Sequence, residues 1–395
     1  MFKKIILIAM ATALTGATFT ACGKKTDDVA DGSAVAQAGN APPIDCSAVT
    51  EESLIASVKG ATATEDESIA IFEALQCCKI DDKLERNSKE CEVTRAIEAL
   101  DKDKKKLVRT TKVADKLVKH PSNIVRAYPL ERYATFWGKK AENVDAMAKA
   151  YADEKDPYVL KSIAQYAASS ANDSQELGNL FKSMLKNDND IVRNKAVGAL
   201  GSPHAVKVEG VVDALTPMIN DSNIDVAKRA CEGIGRLHDD KAVEPIVAAL
   251  NDEAKSDIHG SCLKGLQWLW LDFPSHESTS EAAYKASLDY LNKTPRSEKV
   301  PAWNAVGAFN SISASKINAW KDKATYYKPA DLVAAYSAIV KDTATDWRAR
   351  QAALKGIAVH GTKADVEALR ASIEADPKKT VLQSTFDKAL TDAAK

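Results

Sequence analysis

Between Asp190 and Leu250 the chain repeats itself. Moving DIVRNKAVGALG forward by 34 places sets Val192 on Val226, Ala196 on Ala230, Ala199 on Gly233, Leu200 on Ile234 and Gly201 on Gly235. A unit of this length has room for two helices but cannot bury their apolar faces alone, so copies must stack. Small residues at 196, 199, 230 and 233 let helices approach closely, and Val192 and Leu200 fill the seam between them.

The same pattern extends outward. Apolar residues recur at helical spacing from Ser47 onward, and no sustained alternation of period two predicts a strand. Pairs of helices are expected at 67–78 with 91–100, 106–118 with 123–136, 142–151 with 157–168 and 174–185 with 190–200. They continue at 211–219 with 225–237, 243–250 with 257–271, 279–291 with 300–312, 329–341 with 345–359, and 364–374 with 380–393. Pro129 stands where the clearest repeat has Ala196, and should kink or shorten its helix. The expected fold is all-α, a right-handed α-solenoid of about nine helix pairs. Asp190 and Asp225 are placed to cap a helix or to favour its N-terminal dipole. Arg193 is expected to bond neighbouring acidic groups as a ladder residue rather than to catalyse.

The run Asp190, Val192, Arg193, Ala196, Ala199, Leu200, Gly201 resembles HEAT repeat proteins, specifically the short bacterial HEAT-like repeats also seen in phycobilin lyases. A less complete copy stands at Val226, Ala230, Gly233, Ile234 and Gly235, and the likeness covers roughly residues 105–393. It implies a solenoid whose second helices line the concave face. It implies no particular activity, since one fold serves many roles.

The N-terminus, MFKKIILIAMATALTGATFTAC, has two lysines, an apolar run from Ile5 to Ala13 and then small residues up to Cys22. This has the form of an export signal, too short to remain as a spanning helix. Phe19-Thr20-Ala21-Cys22 resembles the lipobox of bacterial lipoproteins, with Phe19 where Leu is usual. The resemblance implies cleavage before Cys22 and acylation of that cysteine; the other reading is a secreted chain cut near Ala21. Gly23 after the cysteine, rather than Asp, implies outer-membrane attachment. Residues 23–43 are almost devoid of apolar side chains and read as a disordered tether with a reach of about 25 Å. The expected organisation is a signal peptide at 1–21, the lipidated Cys22 and tether at 22–45, a Cys-rich helical cap at 46–104 and the solenoid at 105–395.

Without Lys3 and Lys4 the chain has 52 basic against 55 acidic residues, a net charge of −3 that gives no global drive toward nucleic acid. Beyond Cys22 the cysteines are Cys46, Cys77, Cys78, Cys91, Cys231 and Cys262. An even number in an exported chain favours disulfides. Two bridges are expected in the cap, Cys46 with Cys77 or Cys78 and the remaining one with Cys91. The pair Cys231 and Cys262 admits three readings: a bridge between adjacent repeats, buried thiols, or a zinc site with His259 and a fourth ligand such as His238. Helices packed 8–10 Å apart are a loose fit for direct bridging.

No HExxH, GxSxG, P-loop or dinucleotide fingerprint occurs. His238-Asp239-Asp240 could bind a cation, but it lies at a turn where Asp commonly caps the next helix. Aromatic residues concentrate between Trp268 and Trp347, either as core or as anchors for a peptide. Trp268 and Trp270 are two apart and cannot share a helix face. The basic side chains Arg193, Lys195, Lys228, Arg229 and Lys264, with Trp268 and Trp270, are the candidate partner-binding residues. The function expected is a non-catalytic protein-binding scaffold, lipid-anchored in the bacterial cell envelope, whose partner carries an acidic segment. No cofactor, metal or nucleic acid is expected. The alternatives are an enzyme or enzyme accessory related to HEAT-like lyases, and a purely structural envelope protein.

Overall fold

The computed structural model describes residues 44–102, 106–270, 280–293, 306, 322 and 324–393. The signal, Cys22, nearly all of the tether and, apart from residue 306, the expected helix at 300–312 lie outside the described residues. An N-terminal cap holds α1 (Glu51–Ser57), α2 (Glu65–Glu73) and α3 (Glu92–Lys102). Five helix pairs follow. They are α4 (Thr111–Leu117) with α5 (Asn123–Glu131) and its continuation α6 (Tyr133–Phe136), then α7 (Ala141–Ala150) with α8 (Pro157–Tyr166), and α9 (Gln175–Met184) with α10 (Asp190–Leu200). Next come α11 (Val211–Leu215) with α12 (Ile224–Gly235), and α13 (Val243–Leu250) with α14 (His259–Trp270). Beyond them are α15 (Glu281–Lys293), α16 (Pro329–Lys341) with α17 (Trp347–His360), and α18 (Lys363–Glu367) and α19 (Arg370–Glu374) with α20 (Lys379–Asp392).

The second helices α5, α8, α10, α12 and α14 pack one upon the next, and α7 packs on α9, so the fold is an all-α solenoid of sequential pairs. Val192, Ala196, Leu200, Val226, Ala230 and Ile234 are all fully buried in its seam. As Pro129 foreshadows, α5 stops soon after it, and the helix resumes as α6 past Arg132. Among the described residues the one extended pairing is an isolated bridge between Ile80 and Arg86, which the expectation of no strands did not include.

A ladder of ion pairs ties repeat to repeat. Arg193 donates to Asp221 through Nε and Nη2 (2.7 and 2.9 Å), and through Nη1 to the carbonyls of Asn187 and Asp188. Asp221 in turn accepts the backbone N–H of Asn223 at 2.8 Å. One guanidinium thus closes its own turn and fixes the turn ahead of the next second helix. The arrangement recurs with Arg126 and Glu154 at 2.8 Å, and with the buried pair Arg350 and Asp376. The caps differ from expectation by one or two residues. Asn189 and Asn223 cap α10 and α12, while Asp190 and Asp225 stand in the first turns. An Asn carboxamide reaches two backbone N–H groups from the cap position; the following Asp is left to meet the dipole, and Asp190 also accepts from Asn223.

Glycines let α12 lie unusually near its neighbours. A methyl group on Gly201 would sit 2.8 Å from the Cα of Gly233, and one on Gly235 would sit 2.0 Å from the carbonyl oxygen of Gly265. This proximity resolves the open cysteine question. Cys231 and Cys262 are disulfide-bonded between α12 and α14, with Cα atoms 4.8 Å apart. The expected 8–10 Å helix spacing assumed side chains at the crossing, which Gly235 and Gly265 lack. Cys46 is bonded to Cys77 and Cys78 to Cys91, and the latter pair closes a loop with Leu84 at its tip in a left-handed conformation (φ 54°).

Candidate functional site: a groove across the second helices

A groove of about 900 Å³ crosses α8, α10, α12 and α14. Gly198, Gly201 and Gly233 are among its lining residues; the last two meet backbone to backbone where α10 and α12 approach. The rim carries Lys195, Lys228, Arg229, Arg236 and Lys264 against Asp190, Asp225 and Glu232. Five cations thus meet three acids.

These charges are not equally occupied. Glu232 accepts from Arg236 and, at 3.1 Å, from Lys264; burial opposes its charge, but the two cations hold its carboxyl below the usual range. Arg229 lies across α10, its Nη1 donating to the carbonyl of Asn194 at 3.3 Å, in space that the missing side chain of Gly198 leaves free. Among the described residues Lys195 has neither an ion pair nor a hydrogen bond, although it is half-buried. Burial, with Lys161 and Arg229 nearby and Glu85 as a partial offset, lowers its amine below the ordinary lysine range. A half-buried ammonium without a counter-ion is stabilised by any anion that reaches it.

The sequence candidates divide accordingly. Lys195, Lys228, Arg229 and Lys264 come together in the groove. Arg193 does not; it is consumed by the ladder with Asp221, and its side chain is 14% exposed. Trp270 is a correction: it is fully buried among Tyr284 and Tyr327 and presents nothing to a partner. Trp268 is half-buried with the Arg236 guanidinium 5.0 Å above its ring, and it does not line the groove. The zinc reading of Cys231, Cys262 and His259 fails, because the thiols are bonded to each other and the imidazole is committed elsewhere. His259 Nε2 faces the carbonyls of Ala249 and Asp252 (both 3.1 Å), so it carries the proton, and Nδ1 accepts from Tyr290 at 2.9 Å. At the other turn, Asp239 caps the short helix that follows it. Among the described residues no group of three or more His, Cys, Asp or Glu is arranged to hold a metal ion.

Lys161 and its partners on the cap loop escaped the sequence reading. Lys161, one turn before Gln165 of the groove on α8, is 3% exposed; its ammonium donates to the carbonyl of Leu84 at 2.7 Å and pairs with Glu85 at 2.6 Å. Both partners sit on the cap loop, about two repeats earlier in the chain, and no sequence signal joins them to α8.

No protein-family model matches this chain, and no curated protein matches it. Among solved structures, it is similar to Kap121p bound to Ste12p (10% identity, 87% of this chain and 38% of that one, TM-score 0.49) and to Kap121p (13% identity, 88% and 38%, TM-score 0.44). An engineered protein is a further match (15% identity, 72% and 96%, TM-score 0.22). This chain therefore spans about 38% of the length of the Kap121p chains.

Proposed function

We propose that this protein is a non-catalytic binding scaffold whose groove across α8, α10, α12 and α14 takes an acidic segment of another protein. The observation that carries the reading is Lys195, a half-buried cation with no ion pair among the described residues, in a groove where cations outnumber acids. Recognition there is polar: exposed large apolar side chains among the described residues are Tyr166, Val206 and Ile224, none of which lines the groove. Buried charged pairs such as Arg350 with Asp376 and Arg193 with Asp221 are committed to holding the repeats together.

A fluorescent glutamate-rich peptide tests the groove. Its affinity should fall about tenfold in Lys228→Ala/Arg229→Ala, and should weaken as salt rises, since partly exposed charge pairs contribute about 1 kcal/mol and are screened. Unchanged affinity in the double variant sinks the reading.

The same proposal places the scaffold in the bacterial envelope, on a lipid anchor at Cys22, within a HEAT-like lineage. Three disulfides in the described residues support an oxidising compartment. Palmitate should label the protein in cells, and Cys22→Ala should abolish that labelling. Persistent labelling of the variant removes the anchor from the account.

A further inference from the structure

The cations of the groove fall into two sets. Lys195 on α10 and Lys228 on α12 have no ion pair among the described residues, and Arg229 on α12 donates to the carbonyl of Asn194. Arg236, at the C-terminal cap of α12, and Lys264 on α14 are already engaged. Both donate to the same oxygen, Oε1 of Glu232, and the Arg236 guanidinium also lies 5.0 Å from the centre of the Trp268 ring. Lys228 and Arg229 stand four and three residues before Glu232 on the same helix, yet neither is paired with it among the described residues.

Glu232 is fixed in that place. It follows Cys231, whose bridge to Cys262 ties α12 to α14, and its side chain is only 19% exposed. Two cations outweigh burial and hold its carboxyl below the usual range, so it stays charged at neutral pH. A carboxylate arriving over α14 meets a resident carboxylate that already holds both donors. One arriving at Lys195, Lys228 and Arg229 meets donors with capacity to spare.

We propose that Glu232 is a resident competitor: it confines the acidic residues of the partner to a short cluster over Lys195, Lys228 and Arg229, and turns a longer acidic run away from the α14 end of the groove. The inference rests on the acidic-segment reading above and adds the charge pattern that the groove selects. The partner it fits carries a few adjacent acidic residues followed by uncharged ones. Lys264, although it lines the groove, adds nothing to capture while Glu232 is present.

Two labelled peptides of equal length test this, one with three consecutive glutamates in a Gly-Ser sequence and one with seven. Three extended residues span about 10 Å and seven about 23 Å. Two helix steps cover at most about 20 Å, so the longer run alone reaches from α10 to α14. Fluorescence anisotropy on the full chain, at a salt concentration that screens beyond about 8 Å, should find the two peptides within about threefold of each other. Glu232→Gln should tighten the longer peptide about fivefold, the effect of freeing two partly exposed cations, and the shorter by less than about twofold. Lys264→Gln should change neither by more than about twofold in the wild-type background, and should remove much of the gain in the Glu232→Gln background. Damage to the fold does not produce tighter binding, so the gain reports on Glu232 itself. Equal tightening of both peptides by Glu232→Gln, or no tightening of the longer one, overturns the confinement while leaving an acidic-segment groove in place. Binding of neither peptide by any of these proteins overturns both readings.

Discussion

Asp221 shows how much of this fold hangs on single side chains. It receives two hydrogen bonds from Arg193 and one from the backbone of the next cap, in a site where its own side chain is 6% exposed. Asp221→Asn should cost about 2–3 kcal/mol at neutral pH, read by chemical denaturation, because the Arg193 guanidinium keeps its burial and loses its counter-charge. The pH dependence has a definite sign. Arg193 holds the Asp221 carboxyl below its ordinary 3.8 against the opposing effect of burial. The stability it confers is therefore complete above 3.8 and is lost as pH falls through the lower folded-state value. The gap between wild type and Asp221→Asn should close over that acid range; a gap constant to the acid transition contradicts the assignment. Arg193 was legible as a ladder residue because it follows Val192 in the repeat pattern. Asp221 was not, since it sits in the next repeat's turn, 28 residues away. For Trp268 and Trp270, a separation of two fixed that they face different ways but not which one faces the core; packing against Tyr284 and Tyr327 decides it.

At the scale of helices, the second row carries the design. Its members read clearly from sequence because their small and apolar positions recur, and α10 spans the same residues as expected. First helices were less legible. The expected 211–219 helix is α11 followed by a tighter 3₁₀ turn over Thr216–Asn220, since Pro217 has no N–H with which to continue the α-helical ladder. The close crossing of α12 and α14 was hidden for a different reason: glycines signal permissiveness, but their partner across the crossing is set by tertiary register. Gly235→Ala forces a methyl group toward the Gly265 carbonyl and must part these helices. It should lower stability by about 3 kcal/mol, at the upper end of overpacking, with the disulfide intact. A variant within about 0.5 kcal/mol of wild type means the crossing is looser than described.

For the whole molecule, repetition turns one local device into an extended surface. Stacking α8, α10, α12 and α14 brings together cations separated by up to two repeats. Fold class and the second-helix origin of the groove were therefore within reach of the sequence. The seating of the cap loop against Lys161 of α8 was not, because it depends on where a disulfide-bonded segment comes to rest. Amine footprinting addresses the groove itself: the folded protein is acetylated with and without a glutamate-rich peptide, and each lysine is quantified by mass spectrometry. With ligand at about four times its Kd, labelling of Lys195 and Lys228 should drop about fivefold, while Lys388 on α20 keeps its rate. Equal labelling of Lys195 with and without the peptide, or the same drop at Lys388, contradicts a binding groove at this place.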